Sequence, residues 1–99
     1  MMNAVTSSST PTAAGQIAGL ARLAGTDPGP LPPPGLDRDL LRVGLIVAAQ
    51  QKGATWTRLS MVLFGYEDPK AAKRAVQKLA RETQRAALLR QNTETAQAG

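Results

Sequence analysis

The chain contains no cysteine and no histidine. Their absence removes the disulfide framework, the usual thiolate and imidazole ligands of zinc and haem, and the commonest general base. It also leaves no mark of redox compartment. Aromatic residues are scarce: Trp56, Phe64 and Tyr66 are the only three, and they fall within eleven residues of one another. The well-packed centre is therefore expected there. No apolar run approaches the roughly 20 residues that a membrane span needs. The N-terminus lacks the basic start and apolar stretch of a secretory signal, so the expected location is cytoplasmic, without a membrane partner. No nucleophile–base pair, metal set or phosphate-cradling glycine run is visible. Neither an enzyme nor a cofactor is expected. Asp37 and Asp39 lie close together, but nothing catalytic accompanies them, and acids suit the first turn of a helix. Ser60 is isolated on a helix and reads as structural.

The 99 residues suffice for one small domain. Residues 1–14 are rich in Ser, Thr and Ala, bury too little apolar surface to offset the entropy of ordering, and read as a disordered tail. Residues 16–24 place Ile17, Leu20, Ala21 and Ala24 on one stripe. With two glycines nearby this is a weak helix, as ready to stay loose as to dock. Residues 25–36 hold five prolines and three glycines, which no helix or central strand survives. This is a Pro/Gly-rich linker, extended over Leu31–Pro34. Pro30 and Pro33 have PxxP spacing, but no basic residue stands beside them.

Residues 37–90 are expected to form the folded domain, all-α and built of three helices. The first covers 37–52, capped by Asp37 and stopped by Gly53. Leu40, Leu41, Val43, Leu45, Val47 and Ala48 cover most of its circumference, leaving a polar edge at Arg38, Asp39 and Arg42. Gly44 suggests the close approach of another helix. The second runs from a Thr55 cap to Gly65, with Trp56, Leu59, Val62 and Leu63 inward. The third begins at Asp68-Pro69, a capping carboxylate followed by proline where no N–H is missed. Residues 91–99 lose the apolar period, so the helix is expected to fray near Arg90 into a disordered tail.

The third helix carries the signal for function. At about 100° per residue, Ala71, Ala72, Ala75, Val76, Leu79, Ala80, Thr83, Ala86 and Ala87 fall on one side. Lys70, Lys73, Arg74, Gln77, Lys78, Arg81, Gln84 and Arg85 fall on the other. Residues 70–90 carry seven Lys or Arg against one acid, Glu82, a net +6; the whole chain is +5, so the remainder sums to −1. Solvated helix faces ordinarily mix signs. A single-sign face is the footprint of a phosphate backbone.

Helix, glycine-containing turn and second helix with a basic outer face make up the helix-turn-helix pattern. In that reading Lys70, Lys73, Arg74 and Gln77 face base edges, since Arg and Lys suit guanine and Gln suits adenine. Lys78, Arg81 and Arg85 meet phosphates, while Thr55, Thr57 and Arg58 hold the flanking backbone. The partner is double-stranded DNA. A single module contacts few base pairs, which points to a homodimer or to several copies on repeated sites. The alternatives are a protein-interaction module that lays the basic helix into an acidic groove, and a membrane-surface helix, for which the Ala-rich face offers little depth.

The segment GATWTRLSMVLFGYEDPKAAKRAVQKL resembles helix-turn-helix modules of actinobacterial proteins, in which GATW opens the first motif helix and LG ends it. Here Phe64 intervenes between Leu63 and Gly65, lengthening the turn by about one residue relative to that pattern. GATWTRL, LFGY and AAKRAVQKLARETQR also resemble the small DNA-binding replication proteins of actinobacterial theta-replicating plasmids, which carry a helix-turn-helix similar to a sigma-factor promoter-reading domain and accompany a larger primase-like initiator. That resemblance implies origin binding as an accessory replication protein, with a replication initiator as a second partner. A transcription regulator using the same module is the alternative.

Overall fold

The computed structural model describes residues 12–98, and side-chain surroundings as far as Thr93. The described residues are all helical, with no strand: α1 Ala13–Ala24, α2 Leu36–Gln51, α3 Trp56–Phe64 and α4 Pro69–Ala98. The expectation of a disordered tail over residues 1–14 lies outside the described residues as far as residue 11. From residue 12 onward it is corrected. Thr12 caps α1 by accepting a hydrogen bond from the Gly15 N–H at 3.0 Å, so Ala13 and Ala14 are already helical.

The weak helix docks. Ile17, Leu20, Ala21 and Ala24, the stripe expected from spacing, are all buried, and α1 packs against both α2 and α3. Docking rather than propensity stabilises so short a helix. Its approach to α3 is close at Gly19, where an added Cβ would stand 2.9 Å from Val62 Cγ1. Close approach belongs to this glycine and not to Gly44, around which a Cβ would meet nothing within 4 Å. Gly25 stops α1 at φ +70°, with the Thr26 N–H reaching the Ala21 carbonyl at 3.0 Å, a Schellman ending that only a residue tolerant of positive φ accepts readily.

The linker contains no regular element, as its prolines require. It is tied to α2 by Arg38, whose Nε donates to the Pro32 carbonyl at 2.8 Å. Helix α2 begins one residue earlier than expected, at Leu36, with Gly35 at its N-cap and no side-chain capping bond. Asp37 is therefore not the cap but a first-turn acid, which still suits the helix dipole. It accepts instead from Arg90 of α4 at 3.0 Å. Both partners are well exposed, and such pairs contribute little stability. At the other end Gly53, φ +94°, and Ala54 close α2 through N–H bonds to the Gln50 and Ala49 carbonyls, each 3.0 Å.

The core is more aliphatic than the aromatic cluster suggested. Leu20, Ile46 and Leu59 are its fully buried large apolar side chains, one each from α1, α2 and α3. Trp56 and Phe64 are half-buried against this centre, and Tyr66 is exposed, its ring stacked on that of Phe64 at 5.5 Å. The docked α1 supplies the apolar volume that would otherwise fall to Trp56, a side chain large enough to be rarely buried outright.

The α3–α4 corner is held by side chains as well as by Gly65, which adopts φ +85°. Thr55 caps α3 through the Arg58 N–H at 3.2 Å, and Asp68 caps α4 through the Ala71 N–H at 3.0 Å. Between them, buried Ser60 donates to the Thr57 carbonyl at 2.6 Å and accepts from the Asp68 N–H at 3.0 Å. The expectation of fraying near Arg90 is corrected: α4 remains helical through Ala98. Its 30 residues make a rod about 45 Å long at 1.5 Å per residue. Polar residues 91–98 lack an apolar period but contain no proline and no glycine, so nothing in them breaks a helix already nucleated.

Candidate nucleic-acid interface

The inner face of α4 is laid down by small and aliphatic residues. Ala72 and Thr83 are buried, and Ala71, Val76, Leu79, Ala80, Ala86 and Ala87 are half-buried. Ala75, expected inward, is exposed at the rim of this arc. Seating on alanine brings the rod close to α3 and α2, the two helices it packs against most, and fixes its rotation. The opposite face is thereby presented outward.

On that face Lys70, Lys73, Arg74, Gln77, Lys78, Arg81, Gln84 and Arg85 are all exposed. The only ion pairs among the described residues are Arg42–Asp39 and Arg90–Asp37. Among the described residues none of the six lysines and arginines from Lys70 to Arg85 is paired with an acid. With one acid, Glu82, among seven Lys or Arg over residues 70–90, the field on this side is predominantly positive, which suits a polyanion. Lys70 to Gln77 covers about 10 Å of helix at 1.5 Å per residue, close to the rise of three base pairs at 3.4 Å each. Lys78 to Arg85 covers a similar distance further along.

The remaining candidates, Thr55, Thr57 and Arg58, stand at the start of α3 and not on the α4 face. Thr55 and Arg58 are exposed. Thr57 is half-buried and lends its carbonyl to Ser60. The eight-residue outer face is thus one continuous surface, with the α3 trio separate from it.

Two features go beyond the sequence reading, which places Leu88 on the basic side of the helix and Arg42 on a polar edge. Leu88 and Leu89 are 52% and 61% exposed, an apolar patch beside Arg81 and Arg85 at the far end of the basic face. Arg42, read as part of a polar edge, lines a cleft with Gln16, Ile46, Leu63, Val76 and Leu79. Arg42 precedes the buried Leu45, Ile46 and Ala49 by three, four and seven residues and so shares their stripe, which apolar residues all around α2 hide in the sequence. Among the described residues no group of three His, Cys, Asp or Glu is placed to hold a metal ion, and no helix is long and apolar enough to cross a membrane.

No protein-family model matches the chain, and neither a curated protein nor a solved structure is significantly similar to it.

Proposed function

We propose that the chain binds double-stranded DNA sequence-specifically, with α3, the turn after it and the first half of α4 acting as a helix-turn-helix. The observation that carries this reading is the outer face of α4: six cationic side chains from Lys70 to Arg85, exposed and without an acidic partner among the described residues. In this reading Lys70, Lys73, Arg74 and Gln77 meet base edges in the major groove, and Lys78, Arg81 and Arg85 meet phosphates. Thr55, Thr57 and Arg58 steady the flanking backbone. A plasmid replication origin is the target that the resemblance favours, with the chain as accessory to a replication initiator. Regulation of transcription is the other use of the same module.

The test is selection of bound duplexes from a random pool, followed by fluorescence anisotropy on the selected site. The double variant Lys73→Ala, Arg74→Ala keeps its helix content by circular dichroism and loses site-specific binding. Unchanged affinity in that variant contradicts the groove assignment.

Leu88 and Leu89 favour a second reading. Apolar side chains on a DNA-facing stripe gain nothing from phosphates, whereas beside Arg81 and Arg85 they suit a partner protein with an acidic and apolar surface. Protein binding through the far half of α4 is compatible with DNA reading by its first half. It is separated from it by Leu88→Ser, Leu89→Ser, which abolishes the protein contact alone.

A further inference from the structure

The four helices line a small, partly open cleft beside the α3–α4 corner, of about 80 Å³. Its walls are Ile46 of α2, Leu63 of α3, and Val76 and Leu79 of α4, with Gln16 of α1 and Arg42 of α2 as the polar groups. Gln16 is already engaged, since its Nε2 donates to the Leu63 carbonyl at 2.9 Å. Arg42 is not. Its Nε is buried without a hydrogen-bond partner. Its Nη1 lies 3.6 Å from Asp39 Oδ1, too far for a hydrogen bond. The side chain as a whole keeps 26% of its surface accessible. A buried guanidinium N–H without an acceptor is costly, so this atom favours an acceptor, either a water or an anion.

We propose that this cleft binds a small monocarboxylate with a short alkyl body. The anion meets the one charge in the wall, and a planar carboxylate matches the guanidinium fork. The alkyl part lies against Ile46, Leu63, Val76 and Leu79. Size limits the guest: a cleft of about 80 Å³ holds only a few waters, so the alkyl part is short. An inorganic anion would leave those apolar walls facing a charge. The guest touches three helices at once, so it binds the folded chain and raises its melting temperature by mass action. None of this depends on DNA binding.

The test uses the full chain with propionate, at ionic strength held constant with chloride, and with propionamide as the uncharged control. Propionate produces saturable amide shifts at residues of the cleft and a rise in melting temperature, and propionamide produces neither. Arg42→Met removes an unsatisfied Nε and a part-exposed pair with Asp39 that contributes little, so it folds, and it loses both responses. Arg42→Lys keeps the charge without the fork and binds more weakly. The proposal is overturned by no saturable response to propionate, by an equal response in Arg42→Met, or by shifts spread over the α4 basic face that chloride reproduces. A water filling the cleft gives the first of these results.

Discussion

The hydroxyl of Ser60, in the second turn of α3, accepts a hydrogen bond from the backbone N–H of Asp68 at 3.0 Å. One buried side chain thereby ties α3 to the residue that caps α4. The angle of the basic rod is set by this bond together with the Gly65 turn and the alanine seat. Ser60→Ala deletes the acceptor and leaves the Asp68 N–H in a partly buried corner. The expected cost is about 1–3 kcal/mol, read from the denaturation midpoint at unchanged slope. Wild-type stability would show the corner to be held by glycine and packing alone.

Two glycines respond in opposite directions. Gly19→Ala drives a Cβ into Val62, whose branched side chain has little freedom to yield, and destabilises the chain by about 1–3 kcal/mol. Trimming Val62 to Ala in the same chain recovers part of the loss. Gly44 lies mid-helix with open space around it, so Gly44→Ala stabilises by about 0.5–1 kcal/mol. Thermal melts of the three variants check this, and a stabilising Gly19→Ala contradicts the close contact of α1 with α3.

Thr83 is 4% exposed, and its hydroxyl has no hydrogen-bond partner. Thr83→Val keeps the shape of the side chain and removes the unsatisfied group. It raises stability by about 1 kcal/mol, measured by urea denaturation. A loss of stability would place a bound water or an unseen acceptor at that hydroxyl.

Sequence reasoning reached the two ends of α3, the start of α4 and the separation of its basic and alanine faces, because these follow from local rules. Thr55 and Asp68 are capping residues, Gly65 tolerates positive φ, and a 3.6-residue period sorts α4 into two faces. What escaped it was set by tertiary packing. In α2 apolar residues surround the helix, so periodicity could not select Leu45, Ile46 and Ala49 as its inward stripe, and Gly44 was assigned a contact that Gly19 makes. The docking of α1 depends on complementary surface that its own residues do not reveal. The end of α4 was placed near Arg90 because the apolar period stops there, but loss of a packing face is not a helix stop signal. At the candidate interface the outward set on α4 was legible residue by residue, whereas the cleft at Arg42 arises only where four helices meet.

The most direct test of the central claim is the salt dependence of binding to a short generic duplex. Neutralising about six phosphates gives a slope of log Kobs against log salt near −5, so affinity falls about a thousandfold or more between 50 and 200 mM salt. On a generic duplex, where no base is read, Lys73 and Arg74 also meet phosphates, so removing them lowers that slope by about two. A flat dependence, or a slope unchanged by removing those two charges, would contradict recognition of DNA by this face of α4.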